Sequence, residues 1–186
     1  MDRPAWFLDA ERVDRAIYAA IAATDTPALD RVMTRLTNAA DYSRLWLASA
    51  AVLSVTRGRK GRRAACEGLA SVAVTSAVAN LVIKPVGRRR RPDRVAVDVP
   101  LERQVRMPTS TSFPSGHSAS AFAFATGVGN VLPREAAALR ALAATVAYSR
   151  VHTGVHYPGD AIAGSLLGGA IAQITSGALE HRFGQA

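Results

Sequence analysis

Long stretches without a charged residue alternate with short charged segments over most of the chain. From residue 45 onward there are five such stretches, at 45–56, 68–83, 118–132, 141–149 and 161–179. A helix that crosses a bilayer needs about 20 predominantly apolar residues, and only the last stretch approaches that length unaided. The others approach it if arginine or glutamate side chains at their ends reach the membrane surface. The pattern predicts an all-α protein built as a bundle of five to six transmembrane helices.

The composition of these stretches favours helices that pack closely. They are rich in alanine, glycine, serine and threonine, the small residues that allow membrane helices to approach one another. The mean hydropathy of the whole chain, however, is close to zero. A soluble helical bundle with an alanine-rich core is therefore the alternative that the hydropathy leaves open.

The first 42 residues follow a different pattern, in which apolar residues recur at helical spacing among charged ones. One stripe is formed by Trp6, Ala10, Val13, Ile17 and Ile21, and a second by Leu29, Val32, Met33 and Leu36. Between the stripes, Thr26 and Pro27 are typical of an N-cap and a first helical position. Short amphipathic helices suit a membrane surface or the outside of a bundle. We expect N-terminal amphipathic helices at 1–42 and a membrane-embedded core at 43–186.

Charge and cysteine content narrow the function. The 186-residue chain carries 23 lysines and arginines against 14 acidic residues, a net charge of +9. Such a chain favours an anionic partner: a phosphate ester, a lipid headgroup or a nucleic acid. Because Cys66 is the single cysteine, no internal disulfide and no cysteine-based metal cage can form. Aromatic residues make up 6% of the chain, which is low for a protein that stacks on unpaired bases.

Much of the positive charge lies in one segment between two of the predicted helices. Residues 84–114 contain eight basic residues, three acidic residues and five prolines, and a second basic cluster lies at 57–63. Basic loops of membrane proteins prefer the cytoplasmic side, yet a predicted helix at 64–83 separates these two. If that helix spans the membrane, one of the two loops keeps its arginines for another purpose. We expect the 84–114 loop to be the one that serves chemistry.

Two clusters near the ends of this loop carry candidate chemistry. Lys84, one of only two lysines in the chain, ends an apolar helix and is followed after six residues by Arg91-Pro92. At the other end, Pro114, Ser115, Gly116 and His117 open the next helix. Proline and serine are good helix starters, and the free backbone amides of a helix N-terminus attract anions. Neither cluster requires a catalytic role. Lys84 could be a lysine that reaches the membrane surface, and residues 114–117 could be an ordinary capped helix start.

A third cluster comprises Ser149-Arg150, His156 and Asp160. Asp160 is the only acidic residue between Glu135 and Glu180, and a buried or interfacial carboxylate needs a partner. A carboxylate that accepts a hydrogen bond from one imidazole nitrogen leaves the other nitrogen free to act as a nucleophile or base. The spacing therefore predicts a His156–Asp160 pair.

The same region allows a different interpretation. On an unbroken helix, His152, His156 and Asp160 would align as three zinc ligands. Gly154 and the pair Pro158-Gly159 argue against such a helix. We therefore predict no metal site and assign His152 no role.

Taken together, Lys84-x6-Arg91-Pro92, Pro114-Ser115-Gly116-His117 and Ser149-Arg150-x5-His156-x3-Asp160 resemble the motifs of the type 2 phosphatidic acid phosphatase superfamily. This superfamily includes lipid phosphate phosphatases, bacterial acid phosphatases and vanadium haloperoxidases. The resemblance covers residues 84–160 and implies the helical bundle of the acid phosphatase and haloperoxidase type.

The resemblance also implies a role for each matching residue. Lys84, Arg91 and Arg150 would bind the phosphate, with Ser115 and the Gly116 amide completing an oxyanion-type site. His156 would attack phosphorus and form a phosphohistidine, oriented by Asp160. His117 would protonate the leaving oxygen and later activate water. Three cations neutralise the phosphate dianion, so no metal or other cofactor is expected.

The predicted helix limits give a separate check. If 64–83 runs outward, 118–132 returns, 135–149 runs outward and 161–179 returns, then Lys84, His117, Arg150 and His156 meet on one side. Beside them, Arg88, Arg89 and Arg90 could hold a second anionic group, or form a solvated or lipid-headgroup patch.

The sequence therefore predicts a multi-pass protein of the cell membrane that hydrolyses a lipid phosphate or diphosphate. Candidate substrates are polyprenyl phosphates or diphosphates, polyprenyl-linked sugar phosphates and phosphatidyl phosphates. The other expected partners of the protein are membrane lipids, and no nucleic acid is expected to bind. An arginine- and alanine-rich composition is typical of high-GC bacteria, which favours a cell-envelope lipid. Two alternatives remain: a soluble non-specific acid phosphatase or haloperoxidase-like enzyme, and a basic protein that binds anionic lipid or nucleic acid.

Overall fold

The computed structural model describes residues 4–183, and every regular element in that range is helical. The helices are α1 (Ala5–Ala22), α2 (Pro27–Ala39), α3 (Arg44–Thr56), α4 (Gly58–Ala77), α5 (Lys84–Val86), α6 (Gly116–Val131), α7 (Pro133–His152) and α8 (Pro158–Phe183). A π-helical segment, Val78–Ile83, joins α4 to α5 as one helix of 29 residues. Short 3₁₀ turns occur at Asp41–Ser43 and Leu101–Arg103. The all-α prediction is confirmed.

Helix α6 lies at the centre of the bundle, in contact with α4, α7 and α8. Its buried side chains are mostly alanine, so neighbouring helices approach closely; Ala119, Ala123, Phe124 and Val128 have no accessible surface. Trp46 of α3, 1% exposed, packs on Phe124 with ring centroids 5.5 Å apart. The centre of the bundle is therefore built from small residues around a few large ones.

Glycines set the contact between α6 and α8. Gly164 and Gly168, one turn apart on α8, face α6: a Cβ on Gly168 would lie 2.0 Å from the Ala119 carbonyl oxygen, and one on Gly164 would lie 2.4 Å from that of Ser115. The two helices thus touch through their backbones, as helices with small residues four apart do in membranes. This contact brings the start of α6 to the start of α8, where the Ser115 N–H donates to the Asp160 carbonyl over 3.0 Å.

We expect Gly168→Ala to destabilise the protein by about 2 kcal/mol, because overpacking a core costs about 1–3 kcal/mol. Gly177→Ala, on the same helix, is the matched control: nothing lies within 4 Å of its added Cβ, and alanine is favoured over glycine in a helix by up to about 1 kcal/mol. Thermal unfolding in detergent should therefore show a lower midpoint for the first variant only. Equal midpoints for the two variants would mean that α6 and α8 are not in backbone contact.

Two helices in the described part of the chain are long and apolar enough to cross a membrane, Gly58–Val86 and Pro158–Leu179. Only 22% of the most apolar window of each is buried inside the protein. Each of the five predicted stretches falls on a helix to within one residue. The expected five to six spanning helices are nevertheless not confirmed: α6 has 16 residues and rises only about 24 Å, less than the roughly 30 Å hydrocarbon core.

The N-terminal helices pack against the later ones, α1 on α7 and α8, and α2 on α7. A buried ionic network ties α2 to the rest of the bundle. Asp30 lies 3.0 Å from Arg103 Nε and 2.7 Å from His152 Nε2, and Arg103 is fully buried. His152, which had no predicted role, therefore helps to fasten α7 to α2. The domain boundary at residue 42 stays a prediction.

Candidate active site

All eight predicted site residues lie at one end of the bundle, where four helices begin or end. Lys84 follows the π-helical end of α4, and Arg150 lies in the last turn of α7. His117 and Asp160 lie in the first turns of α6 and α8. The remaining members are Arg91 of the long loop, Ser115 and Gly116 at the start of α6, and His156 between α7 and α8. The starts of α6 and α8 supply unpaired backbone N–H groups, and such groups attract anions.

His156 is buried, with 2% of its surface exposed, and its two ring nitrogens face different groups. Nε2 lies 3.2 Å from Nη1 of Arg91. A guanidinium can only donate hydrogen bonds, so Nε2 accepts, and the neutral ring carries its proton on Nδ1. The network therefore leaves a lone pair on Nε2, on the side of the cationic Arg91.

On the Nδ1 side, a serine lies beside the predicted carboxylate. Asp160 Oδ2 is 3.6 Å from His156 Nδ1, longer than a hydrogen bond. The Ser112 hydroxyl lies 3.5 Å from Nδ1 and donates to Asp160 Oδ2 over 2.5 Å. His156 and its predicted partner Asp160 are thus neighbours without a direct hydrogen bond, and Ser112 lies beside both.

Asp160 is fully buried and is held by several donors. Arg89 Nη1 donates to Oδ1 over 2.8 Å, and the Tyr157 N–H donates to Oδ2 over 3.0 Å. Arg89 also pairs with Asp14 of α1, whose Oδ1 accepts from the Gly159 N–H over 2.7 Å. Arg89 was predicted to hold a second anionic group or to join a surface patch. The structure instead turns it inward, because two carboxylates compensate its charge.

The cations converge on the space in front of His156. Arg91 donates to the carbonyls of Ser110 and Val155, each over 2.8 Å. These bonds fix its guanidinium beside the histidine. Lys84 Nζ lies 3.5 Å from the Ser110 hydroxyl and would lie 3.5 Å from a Cβ on Gly116. Lys84 Nζ thus lies directly beside the start of α6.

Arg150 and Ser115 complete this group from the inside of the bundle. Arg150 is 2% exposed and bonds the Thr37 hydroxyl of α2, while its Nε is buried without a partner. The Ser115 hydroxyl accepts from the Ser118 hydroxyl over 2.9 Å and from the Ser118 N–H over 3.4 Å. Because Ser115 accepts both bonds, its own proton remains available for a ligand.

The second histidine has its own carboxylate. His117 Nε2 lies 2.8 Å from Oδ1 of Asp41, which belongs to the turn between α2 and α3. A carboxylate only accepts, so Nε2 carries a proton and Nδ1 is left for proton transfer. The sequence motifs had assigned His117 no such partner.

Burial disfavours the protonated form of both histidines. It lowers the pKa of His156 to about 4, with Arg91 and Arg150 adding to the effect and Asp160 opposing it. The ring is therefore neutral at pH 7. Burial also lowers the pKa of His117, reinforced by Arg150 and opposed by Asp41. A phosphate dianion beside His117 would favour its protonated form.

The zinc interpretation fails on the backbone. Helix α7 ends at His152, and Gly154 adopts a left-handed φ of 73°, so His152 and His156 do not share a helix face. Among the side chains that the structure describes, no group of three or more His, Cys, Asp or Glu could hold a metal ion.

Sequence comparison gives the family context. The family model described as the PAP2 superfamily matches residues 64–183. Decaprenylphosphoryl-5-phosphoribose phosphatase of Mycobacterium tuberculosis is 32% identical over 172 residues, which cover 89% of this chain and 92% of the relative. The enzyme of the same name from Mycolicibacterium smegmatis is 32% identical over 84% of this chain and 83% of its own length. A lipid A 1-phosphatase of Rhizobium etli is 42% identical over 65 residues, 35% of this chain and 28% of that protein.

Two crystal structures share the fold. LpxE of Aquifex aeolicus superposes with a TM-score of 0.68 at 25% identity, over 86% of this chain and 92% of that one. A transmembrane PAP2-type phosphatidylglycerolphosphate phosphatase from Bacillus subtilis superposes with a TM-score of 0.67 at 26% identity, over 93% and 87%.

Proposed function

Because this chain belongs to the PAP2 superfamily, we propose that it is a membrane phosphatase that hydrolyses a lipid phosphate through a phosphohistidine. The observation that carries the proposal is His156 Nε2, an unprotonated nitrogen whose lone pair faces the Arg91 guanidinium 3.2 Å away. Behind the ring, the Ser112 hydroxyl and Asp160 Oδ2 lie 3.5 and 3.6 Å from Nδ1. This is the arrangement of an activated nucleophile held by a third group.

In the first step, His156 Nε2 attacks phosphorus and forms a P–N bond while the bond from phosphorus to the ester oxygen breaks. Protonated His117 gives its proton to the leaving oxygen, so an alcohol departs. Lys84, Arg91 and Arg150 hold the three phosphoryl oxygens, with Ser115 and the Gly116 N–H as additional donors. Three fixed cations supply the charge stabilisation that phosphoryl transfer needs, and the mechanism requires no metal.

In the second step, water attacks the phosphohistidine and His117, now neutral, takes the proton of that water. The P–N bond breaks, inorganic phosphate forms, and the electron pair returns to His156 Nε2. While the phosphoryl group is attached, the ring is cationic, and Asp160 stabilises that charge across 3.6 Å. The buried Asp160 thus stabilises the cationic phosphohistidine more than it stabilises the neutral histidine of the resting enzyme.

Among the candidate lipids, we favour a polyprenyl-linked sugar phosphate of the cell envelope. The support is the 32% identity to a decaprenylphosphoryl-5-phosphoribose phosphatase along 89% of this chain. The match to lipid A 1-phosphatase covers 35% of the chain, so it supports the phosphatase chemistry and carries less weight for the substrate.

We further propose that the protein is a multi-pass protein of the cell membrane. Its support is the pair of apolar helices, Gly58–Val86 and Pro158–Leu179, and the likeness to a transmembrane phosphatase over 93% of the chain. The shorter helices α3 and α6 would then cross a locally thinner bilayer or end below its surface.

The direct test is phosphate release by protein purified in detergent from membranes washed with alkaline carbonate. We expect it to hydrolyse a polyprenyl-phosphoryl pentose phosphate in the presence of EDTA, and vanadate to compete with the substrate. Recovery of the protein in the carbonate supernatant would contradict the membrane assignment. Activity that EDTA abolishes, and that added divalent metal restores, would contradict the metal-independent mechanism.

A further inference from the structure

A cavity of about 430 Å³ opens beside His117. Besides His117 and Arg150, it is lined by the turn between α2 and α3 and by residues 105–110 of the long loop. His117 is the proposed donor to the leaving oxygen, so the leaving group must lie on the His117 side of the phosphate. The cavity is therefore in the position where a leaving group would sit, and its volume falls in the usual range for small-molecule sites.

Polar side chains form part of the lining of this cavity. The side chains of Asn38, Tyr42, Arg106, Thr109 and Ser110 contribute an amide, a guanidinium and hydroxyls. Tyr42 is 85% exposed, so its hydroxyl is open to a ligand. Groups of this kind bind hydroxyls better than they bind a hydrocarbon chain.

Asp41 is the one carboxylate of the cavity lining, and the backbone holds it there under strain. Tyr42 and Ser43, directly after it, both adopt left-handed conformations with φ of 55° and 58°, which are unfavourable for residues other than glycine. Arg44 donates to the carbonyls of Asp41 and Asn38 over 3.1 and 2.8 Å. Strain of this kind persists where the surrounding structure imposes it, and it concentrates at functional sites.

A carboxylate near a phosphate site weakens anion binding by charge repulsion. Its presence there therefore suggests a specific function. Asp41 Oδ1 bonds His117, yet 37% of the side chain remains accessible, so part of the side chain is open to a ligand. A carboxylate accepts hydrogen bonds from hydroxyl groups and repels phosphate. Asp41 would thus favour a polyol over a phosphate as leaving group.

We infer that this cavity binds the sugar of the proposed substrate, which is the leaving group joined to the lipid by a phosphodiester, and that Asp41 and Arg106 determine the specificity for it. Asp41 accepts a sugar hydroxyl while it positions His117. Arg106, an exposed loop residue, pairs with the phosphodiester anion on the far side of the sugar. The inference rests on the proposed phosphatase activity. It adds a binding site for the sugar and its phosphodiester, which the phosphate-binding residues do not contact.

The test compares two substrates with the same prenyl chain, a polyprenyl-phosphoryl pentose phosphate and a polyprenyl monophosphate. For wild type we expect a higher kcat/KM on the first. Asp41→Asn should lower the ratio of the two kcat/KM values about 10-fold or more, because hydrogen bonds to a charged acceptor are the strong ones. Arg106→Gln, on an exposed side chain, should raise KM for the sugar substrate only. Asp25→Asn, an exposed aspartate of the same N-terminal segment, is the matched control and should leave the ratio unchanged.

A second measurement separates specificity from positioning. Asp41 raises the pKa of His117, so Asp41→Asn should move the alkaline limb of kcat to lower pH for both substrates. If that limb moves while the substrate ratio stays within twofold of wild type, Asp41 only positions His117 and the sugar subsite is refuted. The subsite is equally refuted if Arg106→Gln affects both substrates alike. If wild type cleaves neither substrate, the proposed function itself fails.

Discussion

Replacing His156 with glutamine should abolish phosphate release, with a loss on the order of 10⁴-fold or more, because removing a nucleophile leaves only binding and electrostatic stabilisation. Glutamine keeps a polar group of similar reach beside Arg91 but cannot form the phosphoryl–nitrogen bond. Since His156 is buried and is tied to Arg91 and Ser112, the variant needs a check of folding. An unchanged thermal midpoint in detergent would attribute the lost activity to chemistry.

The covalent intermediate gives this prediction a second readout. Wild type mixed with substrate labelled in the terminal phosphate and quenched in alkali should retain label on protein, in the acid-labile form typical of a phosphohistidine. The His156→Gln variant should retain none. His181→Gln, on an exposed side chain of α8, is the matched control and should label like wild type. Label that survives His156→Gln would place the nucleophile elsewhere and end the proposed mechanism.

The helix ends account for how much of this site could be predicted from the sequence. Lys84, His117, Arg150 and Asp160 all border apolar stretches whose limits can be read from charge alone. Alternation of direction then places those limits on one side of a bundle. The structure has the same four residues at one end because the helices run as that alternation requires.

The partners of these residues could not be predicted in the same way. Asp14 and Asp41 reach the site across 75 or more positions of sequence, to Arg89 and His117 respectively. In the sequence Asp14 is one of several charges on an amphipathic helix, and nothing in that periodicity separates it from its exposed neighbours. Such contacts are decided by how α1 and α2 pack on α7 and α8, which is tertiary information.

Two residues of the site could not be singled out in the sequence because residues of the same type lie next to them. Ser112 belongs to a run of serines and threonines, and Arg89 to a run of four arginines. Only the fold shows that Ser112 donates to Asp160 over 2.5 Å and that Arg89 turns inward between two carboxylates. A run of similar residues indicates which residue type lies near the site. Which position in the run contacts the site depends on the conformation of the loop.

Replacing His117 with alanine should also lower turnover strongly, and the size of the loss should depend on the leaving group. We expect His117→Ala to lower turnover of the alkyl phosphate substrate by about 10²–10⁴-fold, the range of a general acid. With an aryl phosphate such as p-nitrophenyl phosphate, whose leaving group needs little protonation, formation of the phosphohistidine should be much less impaired. The second step still needs a base for water, so the variant should release one nitrophenol per enzyme in a burst and then stall.

A burst of this kind distinguishes a proton-transfer role from a structural one. If His117 only stabilised the start of α6, its loss would lower both substrates equally and leave no phosphoenzyme. Asp41→Asn, which keeps the imidazole, should show a much smaller loss and no stalled intermediate, since the proton donor is still present. The two variants together therefore separate the group that moves the proton from the carboxylate that holds it, 2.8 Å away. Equal rates of nitrophenol release and phosphate release in His117→Ala would show that another group serves as the base in the second step.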